Sequence, residues 1–148
     1  MQHVREALRQ VIEGADFEPP EKLLGNIKPE EAAQVLPGLP YSIATNVAHT
    51  DIWNRQWLSR LEGTHNEKPW PDFPVIPAEQ WPETRDRFLS NLNRAYQIAC
   101  SEPFQHHCRT DESASRALLQ IAVHTAYHIG QMKLLKRALS HRRRKSAE

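Results

Sequence analysis

The sequence predicts an all-α protein, a bundle of four long helices. Three observations predict it. Apolar residues recur at helical spacing over four extended stretches. No stretch alternates apolar and polar residues as a half-buried strand does. Glycine is scarce at 5 residues, and the 11 prolines cluster between the periodic stretches, where they make stiff connections.

A first helix is predicted over residues 2–13, stopped by Gly14. The stretch from Asp16 to Lys28, with Pro19-Pro20 in it, reads as irregular. A short helix follows Pro29, where Glu30 and Glu31 favour its N-terminus, and Pro37-Gly38-Leu39-Pro40 ends it. Ser42 is the expected N-cap of the second long helix, which runs to Glu62 before Gly63. Ile43, Val47, Leu58 and Leu61 mark its apolar stripe, and His49 lies beside that stripe, one turn before Trp53.

Thr64 to Pro77 reads as an ordered loop rich in proline and tryptophan. The third long helix is predicted over Ala78 to Cys100, with Trp81, Phe88, Leu92 and Tyr96 or Ala95 inward. Pro82 falls in its first turn, where a missing N–H does no harm. After a connection from Glu102 to Glu112, Ser113 is expected to cap a fourth helix that runs to Leu139.

With 148 residues the chain has room for one domain with a sizeable core, expected over residues 1–140. Residues 141–148 are expected as a disordered basic tail, because His141-Arg142-Arg143-Arg144-Lys145 lies beyond the last apolar position. A net charge of +1 argues against a dominant nucleic-acid footprint, and the tail reads as solvated and not as a nucleic-acid arm. No apolar run approaches the roughly 18 residues that span a bilayer, so no membrane role is expected. The first residues lack the apolar core and cleavage site of a signal peptide. Cys100 and Cys108 are too few for a disulfide framework and are not spaced as a CxxC pair. A cytoplasmic protein is the expectation.

The chemistry concentrates in the most apolar helix, where His124 and His128 lie four residues apart. That spacing stacks both rings on one face, with Ile121, Met132 and Leu135 nearby. Two buried imidazoles are costly without partners, and a shared metal ion suits the spacing. A third ligand has to come from another element, and His49 is the natural choice. Three neutral nitrogens suit zinc, nickel, iron or cobalt better than magnesium or calcium, and leave positions open for substrate. The rival reading is a pair of core histidines bonded to carbonyls or carboxylates. Thr125 stands where a metalloprotease helix has its glutamate, so a protease of that type is not expected.

Other candidates are weaker. His106-His107-Cys108 offers good ligands, but adjacent residues seldom aim at one ion. His65 lies in a loop that could cover the site mouth. Asp51 is a candidate acceptor for His49, yet only two residues away it should face elsewhere. Trp53 and Trp57 read as core, and Gln131 is expected either to orient a ligand imidazole or a bound water through its amide or to cap a polar pocket.

The run His124-Thr125-Ala126-Tyr127-His128-Ile129-Gly130-Gln131 resembles the His-x-x-Tyr-His-x-Gly-Gln signature of the DinB-like (YfiT-like) superfamily. Tyr41-Ser42-Ile43 followed by Val47-Ala48-His49 is similar to that family's opening of its second bundle helix. The resemblance covers Pro37 to Leu139. It implies a four-helix bundle of up-down-down-up topology, often a homodimer, with a divalent metal (nickel, zinc or manganese) on His49, His124 and His128. Characterised members include thiol S-transferases that use low-molecular-weight thiols such as bacillithiol or mycothiol, and a mycothiol-dependent isomerase; others are described as metal-dependent hydrolases.

The function that follows is a metal-dependent enzyme acting on a small molecule. Thiol transfer stands slightly ahead of hydrolysis, with a metal-bound thiol or water as the only catalytic group assigned. The alternative is a non-enzymatic metal-binding helical module serving dimerisation or a stress response.

Overall fold

A computed structural model describes residues 1–64 and 71–146. Every regular element among them is helical: α1 (Gln2–Glu13), α2 (Pro20–Gly25), α3 (Pro29–Ala33), α4 (Ile43–Glu62), α5 (Trp81–Cys100) and α6 (Asp111–Ser146). A 3-10 turn, Ala78–Gln80, leads into α5. None of these helices is long and apolar enough to cross a membrane.

The four long helices share one core. α4 packs against α5 and α6, and α1 packs against the other sides of α5 and α6. Leu8, Phe88, Leu92, Leu118, Ile121 and Met132 are fully buried between them. Trp81 is buried too, its indole N–H donating to the Ile27 carbonyl at 3.1 Å, so its one polar atom is satisfied.

α4 starts where predicted. Ser42 caps it, its hydroxyl accepting from the Thr45 amide at 3.1 Å. Gly63 ends it in the left-handed region at φ 67°, and a Cβ there would meet the His107 ring at 2.7 Å. The His107 amide donates to the Leu61 carbonyl at 2.7 Å, tying the α5–α6 connection to this corner.

Three boundaries differ from the sequence expectation. α2 forms inside the stretch read as irregular, because Leu23 and Leu24 are anchored in the core and Pro20 suits a first turn. Six residues are too few for a period to register. α6 begins before Ser113: Thr110 accepts from the Ser113 amide at 3.1 Å, and Ser113 accepts from the Thr110 amide at 3.2 Å. α6 also continues past Leu139 to Ser146 in place of the tail expected to be disordered, and Arg143 pairs with Glu31 of α3 at 2.7 Å.

α4 is buried nearly all round, where the sequence predicts a stripe. Its polar residues find partners in the neighbouring helices. Asp51, fully buried, accepts from Arg87 Nε and Asn91 Nδ2 at 2.7 Å and lies 3.2 Å from Arg55 Nε. It faces α5, away from His49 as its spacing requires. Asn54 donates to Thr125 Oγ1 at 3.1 Å, joining α4 to α6.

Candidate metal centre

α4 and α6 bring His49, His124 and His128 together. One ligand nitrogen from each falls within 4.8 Å of the others. His49 and His128 are buried, and His124 is partly exposed. Among the described residues this is the one group of three or more histidines, cysteines or carboxylates close enough to share an ion, and it closes at three.

The outer nitrogens of two rings are spoken for. His128 Nδ1 lies 2.9 Å from Asn46 Oδ1 and 3.1 Å from Gln131 Oε1. Gln131 Oε1 itself accepts from Asn46 Nδ2 at 2.8 Å. Two oxygen acceptors require a proton on Nδ1, so Nε2 carries the lone pair. His49 Nδ1 lies 3.0 Å from the Asp72 carbonyl and 3.3 Å from the Asp72 carboxylate, which sets the same tautomer. The ring of His49 is stacked on Phe73 with centroids 3.8 Å apart, and Phe73 stacks in turn on Tyr41 at 4.6 Å. His124 differs, because its Nδ1 is buried without any hydrogen-bond partner.

Burial, then the neighbouring charge of His128 and of His49, lowers the His124 pKa to about 4, against a small opposing pull from Asp72. Burial and His49 lower the His128 pKa to about 4, with the Gln131 bond and Asp72 opposing. Both rings are therefore neutral at physiological pH, the form in which imidazole ligates metals.

These residues fit a divalent transition metal. The donors are imidazole nitrogens, two are fixed by carbonyl or amide oxygens behind them, and the third has an orphaned buried polar atom. Outside the group, a shallow apolar shelf of about 490 Å³ runs from His124 along Trp57, Leu119, Val123 and Tyr127. Trp57 meets His124 edge-on, with ring centroids 5.3 Å apart.

Gln131 lies beside His128, its Oε1 3.1 Å from His128 Nδ1. Trp53 and Trp57 do more than fill core: Trp53 donates its indole N–H to Asp72 Oδ1 at 3.0 Å, holding the residue that holds His49. The His106-His107-Cys108 run does not converge. His106 Nε2 pairs with Asp111 at 2.9 Å, His107 packs on Gly63, and Cys108 donates to the Arg60 carbonyl. His65 lies outside the described residues. The sequence reading missed Asn46, Asp72 and Phe73. Asn46 had a signal, an amide three residues before His49 on the same helical face, whereas Asp72 and Phe73 sit in a loop without periodicity.

Comparison with known proteins gives a family match: the profile of the DinB superfamily covers residues 2–132. No curated protein and no solved structure matches the chain.

Proposed function

The chain belongs to the DinB superfamily, and from that premise we propose that it is a metal-dependent enzyme holding one divalent transition metal on His49, His124 and His128. The observation that carries this reading is the convergence of three ligand nitrogens within 4.8 Å, one ring having an unpartnered buried nitrogen. The all-nitrogen donor set favours zinc or nickel over manganese. A group that closes at three, with no fourth protein ligand among the described residues, favours an open site over a saturated structural one.

A divalent ion at this position supplies Lewis acidity, which makes a thiol or a water acidic near neutral pH. The reaction we propose joins an intact low-molecular-weight thiol through its sulfur to a small electrophile, the thiol losing its proton and the electrophile its leaving group, with hydrolysis of a small molecule as the second choice. The chain's own residues do the positioning. Asn46 and Gln131 hold the His128 proton on Nδ1, and Asp72 does the same for His49. Phe73 covers His49 on one face, and Trp57 meets His124 edge-on.

The same reading makes the long helices an up-down-down-up bundle. Contacts along them support it: Ser115 meets Met1, Arg5 reaches the Ala99 carbonyl, and Asp51 and Glu62 meet Arg87 and Arg94 in step. Asn46 and Asn54 meet Gln131 and Thr125 in opposite order. A homodimer belongs to the proposal, with the exposed Leu119, Val123 and Tyr127 as the apolar face that a second copy would cover. So does a cytoplasmic location, supported by two free cysteines.

The test is elemental analysis of the untagged protein beside a His124→Ala variant. Close to one equivalent of transition metal in the native chain, lost in the variant, is expected. Absence from both after reloading with zinc, nickel and manganese would overturn the proposal.

A further inference from the structure

A second feature lies on the outer face of α6, beyond the histidines. The segment Asp16–Leu23 crosses that face and leaves a groove of about 600 Å³, within the range of small-molecule sites. Its lining is mixed, with apolar side chains beside the acids Asp16 and Glu18 and the cations Lys133 and Arg137. Phe17 and Leu134 are 38% and 65% exposed, Leu23 and Ala126 line the sides, and a Cβ on Gly130 would meet nothing within 4 Å.

One end of this groove opens into a depression of about 480 Å³ ringed by Lys133, Lys136, Arg137, His141 and Arg144. Glu18 is the one acid on its wall, and it is already paired with Lys133. Lys136 donates to the Leu23 carbonyl at 2.5 Å. Among the described residues neither Arg137 nor Arg144 meets an acidic partner, and no acidic residue occurs in the chain between Glu112 and Ser146. Arg137 and Arg144 are two helical turns apart, with His141 between them on the same side.

Clustered cations beside exposed apolar surface call for a ligand that is anionic at one end and apolar along its length. We propose that this groove binds a free long-chain carboxylate, the hydrocarbon chain lying over Gly130 between Phe17 and Leu134 and the carboxylate meeting Arg137 and Arg144. A guanidinium fork matches a carboxylate in both charge and shape. A second copy of α6 is a poor occupant, since that helix carries no acidic residue between Glu112 and Ser146 to meet these cations. The site is separate from the histidine cluster and stands whether or not that cluster holds metal.

The experiment is calorimetric titration of the native protein with laurate, decanoate, butyrate, inorganic phosphate and phosphatidylglycerol vesicles. One laurate per chain is expected, with decanoate weaker by roughly tenfold for the two lost methylenes. Arg137→Ala and Leu134→Asp, both at exposed positions, should each weaken laurate at least tenfold without a change in melting temperature. Lys145→Ala and His124→Ala should leave laurate affinity unchanged, the latter excluding a carboxylate bound to a metal. Equal affinity for butyrate, phosphate and laurate overturns the proposal, as does vesicle binding without laurate binding. Loss of laurate affinity in His124→Ala, or its retention in both groove variants, overturns it too.

Discussion

Asn46 Oδ1 and His128 Nδ1 lie 2.9 Å apart, a hydrogen bond that joins α4 to α6 and fixes which nitrogen of a candidate ligand carries the proton. Residues standing behind a metal ligand in this way typically tune affinity by about 10- to 100-fold. Asn46→Ala should therefore weaken metal binding by about that factor, measured by competition with a chromophoric chelator. Gln131→Ala should cost less, since Asn46 remains. Unchanged affinity in Asn46→Ala would remove it from the site.

Metal removal should lower the melting temperature, because an ion bound only by the folded chain stabilises it by RT ln(1 + M/Kd), with M the free metal concentration. A chelator should shift the native protein downward and leave His49→Ala, His124→Ala and His128→Ala variants unmoved. Equal shifts in native protein and variants would mean that the ion sits elsewhere.

The pH dependence of the metal-free protein follows from the two depressed histidines. Their pKa values are about 4 in the folded chain, against about 6.5 in an unfolded one. As pH falls below 6.5 the unfolded chain takes up protons that the folded chain refuses, so stability is lost progressively down to about pH 4 and levels off below. His128→Gln should flatten that loss. A melting temperature independent of pH between 6.5 and 4 in the metal-free native protein would contradict the assigned burial.

Asp51 should be among the most sensitive polar positions. Asp51→Ala removes bonds to Arg87 and Asn91 and leaves Arg55 Nε, already without a hydrogen bond, deprived of its nearby charge. Arg87 is 38% exposed on its side chain and can turn to water, which limits the loss to about 1–3 kcal/mol by urea unfolding. Phe88→Ala, deep in the core, should cost about 3–5 kcal/mol.

The dimer makes its own prediction. Val123 and Tyr127 are 62% and 66% exposed, so Tyr127→Asp should leave the monomer folded while halving the mass measured by light scattering. A native chain that is already monomeric at high concentration would remove this part of the proposal.

The sequence by itself determined the all-helical class, the start of α4 at Ser42 and its end at Gly63, and the pairing of His124 with His128, because all of these are local. Helical period, capping and i, i+4 spacing act within a few residues. The choice of His49 was half legible: its helical face pointed inward, and the family resemblance supplied the rest. Only the tertiary structure decided that Asn46 stands behind His128, that Asp72 and Phe73 fold onto His49, and that α2 forms at all. The α6 extension also belongs there, since Arg143 finds Glu31 across more than a hundred residues of chain. These contacts join distant segments whose own patterns carry no trace of the partner, and burial against a neighbour overrides local preference wherever the two compete.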